Sequence, residues 1–153
     1  MNFPDGHGGL PANPYHPHAW FVGEPVIGEG CWIGAFCVID GSGGLTIGAG
    51  CNLSAGTQIY THSTVARCVS EGARPIERRP TSLGHHVYVG ANAVILMGSE
   101  IGDHCVVAAG AVVAEGTVAP PYSVLRGVPA RVIPGAARKF AAEHADELGG
   151  EPS

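Results

Sequence analysis

The stretch Leu83-Gly84-His85-His86-Val87-Tyr88-Val89-Gly90-Ala91-Asn92-Ala93-Val94-Ile95-Leu96-Met97-Gly98-Ser99-Glu100-Ile101-Gly102-Asp103-His104-Cys105-Val106-Val107 decides how this chain folds. Leu83, Val89, Ile95, Ile101 and Val107 recur every six residues. Four positions after each stands a small residue: Val87, Ala93, Ser99, Cys105 and Ala111. Gly follows directly at Gly84, Gly90 and Gly102. A helix repeats every 3.6 residues and would spread a period of six over drifting faces. Short strands joined by tight corners fit instead, with one large aliphatic and one small residue per hexad pointing inward.

Working outward, the period extends to Ile27, Ile33 and Ile39, to Ile47, Leu53 and Ile59, and to Val113. Small residues accompany these as Cys31, Cys37, Gly43, Cys51, Thr57, Ser63 and Thr117. Stacked coils of such hexads pair their strands in parallel and bury one continuous apolar column. The frame breaks twice. Ile39 to Ile47 is eight residues, a two-residue insertion around Gly41-Ser42-Gly43-Gly44. Between Ser63 and Leu83 it fails altogether, which predicts a loop extruded over about 65–81, carrying Arg67, Arg74, Arg78 and Arg79 with Glu71 and Glu77. Loops of that length in a compact repeat are usually functional.

The organisation expected is a cap over 1–25, a repeat domain over 26–133 and a C-terminal helix and tail over 134–153. In the last segment Ala137, Phe140, Ala141, His144 and Leu148 have helical spacing. At 153 residues the chain suits one domain. Eight basic against thirteen acidic residues argue against a nucleic-acid-binding protein. A hydrophobic content of 45 % argues against disorder, and no apolar run is long enough to span a membrane as a helix. With no Lys or Arg in residues 1–66 there is no basic start to a secretory signal, so a cytoplasmic location is expected.

Three segments carry a family resemblance. Leu83–Ala91 is similar to the signature repeat of the hexapeptide-repeat acyltransferases. Arg126-Gly127-Val128-Pro129-Ala130-Arg131 resembles their closing G-x-P-A-[KR] motif. Gln58-Ile59-Tyr60-Thr61-His62, with the basic loop that ends in Arg78-Arg79-Pro80, resembles the sugar O-acetyltransferase branch, which includes galactoside and maltose acetyltransferases. Tyr88 stands where Trp is commoner, Met97 precedes Gly98 where Pro is commoner, and His85-His86 replaces Asp-Asn. The resemblance implies an all-β, left-handed parallel β-helix with three hexads per triangular coil. It implies acetyl-CoA as cosubstrate, a sugar or similar acceptor, and a homotrimer holding the coenzyme between subunits.

Histidine is the natural base near neutral pH, and acyl transfer needs one to take the acceptor's proton. By position alone His62 reads equally as a base beside the loop or as a surface turn residue; the resemblance assigns it catalysis. The resemblance also assigns Ala109, Gly110 and Ala111 to the coenzyme groove; Gly98 is a further candidate there, and Tyr60, His85 and Tyr88 are candidates for the acceptor. His85 and His86 could contribute to the acceptor pocket or to a metal site, but by position they read more readily as exposed corner residues, as does His104. His16 and His18 lie in the cap. All eight basic residues fall in two clusters, the loop and the segment from Arg126 to Lys139. The second suggests an anionic ligand, and Arg126 and Arg131 are assigned to the coenzyme phosphates.

Cys31, Cys37, Cys51 and Cys105 occupy the small inward column and behave as small hydrophobes; Cys31 and Cys51 are close enough in the frame to stack. Val38, Val94, Val106 and Val112 precede inward positions and suggest an outward apolar strip for a partner. A zinc enzyme of the γ-carbonic anhydrase type would need His where this chain has Ala91, Leu96 and Met97, and no metal is expected. A non-enzymatic solenoid scaffold is the other reading the repeat alone allows.

Overall fold

The computed structural model describes residues 10–141. The hexads form very short strands that wind through three faces of a triangular solenoid. The first coil is β1 (Trp20–Val22), β2 (Val26–Ile27) and β3 (Trp32–Ile33); the second is β4 (Val38–Asp40), β5 (Leu45–Ile47) and β6 (Asn52–Leu53). The third begins with β7 (Gln58–Ile59), leaves the solenoid through β8 (His62–Ser63), α1 (Val65–Val69) and β9 (Glu77–Arg78), and returns as β10 (Thr81–Leu83) and β11 (Tyr88–Val89). Two more coils follow: β12 (Val94–Ile95), β13 (Glu100–Ile101) and β14 (Val106–Val107), then β15 (Val112–Val113), β16 (Val118–Ala119) and β17 (Val124–Gly127). A last strand, β18 (Ala130–Ile133), turns back antiparallel on β17.

Face one stacks β1, β4, β7, β12 and β15; face two stacks β2, β5, β10, β13 and β16; face three stacks β3, β6, β11, β14 and β17. Every contact between successive coils is parallel and in register, for instance Ile39 opposite Ile59 and Val89 opposite Val107. The stacked coils are those that the hexads predict, and they match the left-handed β-helix that the resemblance implies. The first rung, Trp20–Val22, lies within the segment expected as a cap, where no hexad is legible. Ahead of it, Asn13 folds the chain with its side chain, and Tyr15 stacks on Phe21.

The aliphatic column is the core. Ile33, Ile39, Ile47, Leu53, Ile59, Leu83, Val89, Ile95, Ile101, Val107 and Val113 are buried, and Ala119 and Leu125 carry the period further. Burying each large side chain contributes about 1.5–3 kcal/mol. The inward cysteines are free, and their thiols donate to main-chain carbonyls: Cys31 to Gly48, Cys37 to Ser54, Cys51 to Gly84 and Cys105 to Pro120, at 3.1–3.2 Å. Burial pushes the Cys51 thiol up to about 11, so it stays a packing group.

Two inward assignments change, both at a break in the period. The inward places on entry to face two are Leu45 and Thr81, which are cross-strand partners, rather than Gly43 and Ser63. Counting through an insertion lands on residues that leave the coil, Gly43 at the corner and Ser63 on the stem strand β8. The outward valines also divide: Val38, Val94 and Val112 belong to face one and Val106 to face three. At the C-terminal end Ala137 is buried and 138–141 form a helical turn. His144 and Leu148, expected on the same helix, lie outside the described residues.

Candidate active site at the first corner

The corner between faces one and two holds both breaks in the repeat. Asp40 ends β4, where its neighbour Ile39 still fills the core. A carboxylate buried there is tolerated only if it is fully hydrogen-bonded. The inserted residues arrange that. Asp40 Oδ1 accepts from the Ser42 backbone N–H at 2.9 Å. Oδ2 accepts from the Thr61 N–H at 3.0 Å and from His62 Nδ1–H at 2.5 Å. The Thr61 hydroxyl lies 3.0 Å from the Asp40 carbonyl and 3.1 Å from Oδ2, and accepts from the Gly43 N–H. A Cβ on Gly43 would stand 2.1 Å from the Thr61 carbonyl oxygen, so only glycine lets these turns approach so closely.

Burial alone would raise the Asp40 pKa. Hydrogen bonds from Ser42, Thr61 and His62 outweigh it and hold the carboxyl well below the usual carboxylate range. An ionised Asp40 has no proton to give, so Nδ1 of His62 carries the hydrogen, and in the neutral ring Nε2 bears the lone pair. Asp40 is 1 % exposed and the His62 side chain 33 %, so a buried anchor orients an accessible ring. Tyr60 packs its ring edge-on to His62 at 6.3 Å, and its hydroxyl donates to Gln58 at 2.6 Å.

His62 sits on the first strand of the loop's base, not on the coil: it pairs antiparallel with Arg78, and Ser63 with Glu77. The loop is therefore structured, with β8 and β9 as its stem and α1 at its crest. Beside it lies a concavity of about 480 Å³, lined in part by Ser63, Val65, Val69, Arg74 and Glu115. At the return of the loop, the Thr81 hydroxyl donates to the Tyr60 carbonyl and accepts from the Gly98 N–H.

The other residues singled out by sequence are dispersed. Tyr60, His62 and Gly98 share this corner. His85 lies on the corner between faces two and three, where its Nδ1 accepts from the Ala49 N–H. Tyr88 is on face three, within reach of the Ser54 hydroxyl. Ala109 and Gly110 are exposed on the third corner, while Ala111 is fully buried with its side chain in the core. Arg126 and Arg131 are exposed and stand directly opposite one another on β17 and β18. His86, His104 and Tyr122 stack one coil above the next, with the Arg138 guanidinium 4.5 Å from the Tyr122 ring centre. Among the described residues no three potential metal ligands gather. Sequence reading missed Asp40. Its signal was an acid directly after an inward Ile, at the mouth of the insertion.

The hexapeptide repeat of succinyl-transferase matches residues 26–61 and 80–115, the two sides of the loop. No curated protein sequence matches the chain. A hexapeptide-repeat-containing acetyltransferase from Vibrio cholerae is 33 % identical, over 71 % of this chain and 61 % of its own, with a TM-score of 0.63. It has also been crystallised with acetyl coenzyme A. Galactoside acetyltransferase in complex with coenzyme A is 27 % identical over 80 % of this chain and 60 % of its own, with a TM-score of 0.67. The chain thus spans about three fifths of the length of each. AntD, an N-acyltransferase from Bacillus cereus, shares the fold at 22 % identity, over 89 % of this chain and 76 % of its own, with a TM-score of 0.69. Repeat and solenoid together define a hexapeptide-repeat protein. Within that class, the chain is similar in repeat and solenoid to hexapeptide-repeat acyltransferases.

Proposed function

We propose that this protein moves an acetyl group from acetyl-CoA to a hydroxyl or amine of a saccharide-like acceptor, with His62 as general base. The observation that carries the reading is the His62–Asp40 pair. Asp40 fixes the Nδ1–H tautomer and steadies the imidazolium that forms when Nε2 takes the acceptor's proton. The proton is then available to the departing sulfur. Tyr60 and the concavity under the loop receive the acceptor on this reading.

Arg126 and Arg131 suit the phosphates of the coenzyme. Like charges directly opposite on paired strands repel, and a bound polyanion offsets that repulsion. Ala109 and Gly110 leave their corner free of bulk for the pantetheine arm, and Gly98 is linked to the Tyr60 carbonyl through the Thr81 hydroxyl. Ala111 contributes at most its place in the wall behind them. His85 and Tyr88 stand away from His62 in one subunit, so their part in acceptor binding requires a neighbour's copies. A homotrimer would supply them. Exposed Trp32 and Tyr88 on face three, with Trp20 on face one, offer apolar surface for such packing. Five free thiols suit a cytoplasmic location.

Acetyl transfer from acetyl-CoA to a panel of free sugars, nucleotide sugars and amino sugars tests the reading. Wild type should acetylate at least one class, and His62→Ala should lower kcat by roughly 10²–10⁴-fold with coenzyme binding retained by calorimetry. Full turnover by the variant removes His62 from the role. No transfer to any acceptor by the wild type overturns the function.

A further inference from the structure

The stem that carries His62 is tied to the solenoid at a second point. Directly after β9, the Arg79 N–H donates to the Thr61 carbonyl at 3.0 Å, and the Arg79 side chain runs down the first corner over the next two coils. Its guanidinium lies against Gly98 and Gly116, where an added Cβ would come within 3.3 and 3.5 Å of Nη1. Both glycines have positive φ, +78° and +70°. A Cβ at Gly98 would crowd the guanidinium, and one at Gly116 would make ordinary contact with it. At its far end Nη2 donates to Glu115 Oε2 at 3.0 Å. Glu115 also lines the concavity beside α1. This is the ion pair that joins the loop's return limb to a coil beyond its own; the other salt bridge among the described residues is the His62–Asp40 pair itself.

We propose that Arg79 and Glu115 are positioning residues: their ion pair latches the loop onto the solenoid, and through the Arg78–His62 rung it holds the His62 strand in place. The inference rests on the reading of His62 as the base. The pair is about half exposed, so its effect is a modest shift in how often the loop opens. The loop's other ties, the β8–β9 pairing and the Thr61 contact, remain when it is cut.

The test uses Glu115→Gln, and the exchanged pair Arg79→Glu with Glu115→Arg. Hydrogen exchange of the amides between 64 and 78 and steady-state acetyl transfer are measured on the same samples. Glu115→Gln should speed exchange of the loop by about two- to fivefold and lower kcat by a similar factor, with the KM for acetyl-CoA little changed. The exchanged pair should recover part of both losses. One molar salt should reproduce the effect in wild type and add nothing in Glu115→Gln. Unchanged exchange overturns the latch, whatever the activity does. Faster exchange with unchanged kcat overturns the positioning role. A wild type without acetyl transfer overturns the functional reading alone, since the exchange data still decide whether the latch exists.

Discussion

The coils from Leu83 to Leu125 and the corner built from 40–44 and 61–81 use the same chain geometry to opposite ends. In the coils, each inward place is aliphatic or small, and the strands pair with those of the neighbouring coils. At the corner the inserted residues break the period, and the core edge fills with Asp40, Thr61 and Thr81, all buried and all hydrogen-bonded. Among the described residues no buried side-chain polar atom lacks a partner. The regular part supplies rigid walls; the departure from regularity supplies a carboxylate, an imidazole and a loop.

Breaking the regular part should cost stability and little else. Ile95 is fully buried opposite Ile59 and Val113. Ile95→Ala should destabilise by about 2–5 kcal/mol in denaturant melts, with turnover per folded molecule close to wild type. A variant equally stable but slow would show that the walls and the corner are not separable.

Breaking the corner should do the reverse. Asp40→Asn cannot accept a strong charge-assisted hydrogen bond from Nδ1–H and allows the wrong tautomer. A loss of kcat of roughly 10²–10³-fold is expected, with KM for acetyl-CoA little altered. The same carboxylate ties stability to pH. Its native pKa is depressed, so its contribution is present above the unfolded value of about 3.9 and fades as pH falls toward the native one. Wild-type Tm should therefore drop below about pH 4 more steeply than that of Asp40→Asn. Parallel melting curves for the two proteins would remove Asp40 from the linkage.

The smallest expected effect separates the C-terminal arginines from both regions. Replacing Arg126 and Arg131 with Ala should raise KM for acetyl-CoA about tenfold and that for a donor lacking the 3′-phosphate much less. Equal losses with both donors would show that neither side chain reads that phosphate.

Period six placed the core because each hexad repeats one local geometry, and a residue's neighbours are fixed by counting. The same counting failed at Gly43 and Ser63, since an insertion changes the count without changing the composition. Asp40 escaped notice for a related reason: its role is set by Ser42, Thr61 and His62, which meet only when two coils stack. His62 was singled out through the resemblance carried by Gln58–His62 and the basic loop, since position alone left it open. The latch was not, because Arg79 and Glu115 are 36 positions apart and join across a break in the period.

The reversal of β18 on β17 changes the edge that the solenoid presents on face three. A parallel solenoid ends in strand edges that another copy could extend coil upon coil. On face three the last rung runs the other way, and antiparallel and parallel ladders space their hydrogen bonds differently. An incoming first coil, running in the solenoid's own direction, would meet a mismatched pattern and the exposed charge of Arg131. Face three thus ends in an edge that does not repeat the parallel ladder of the coils.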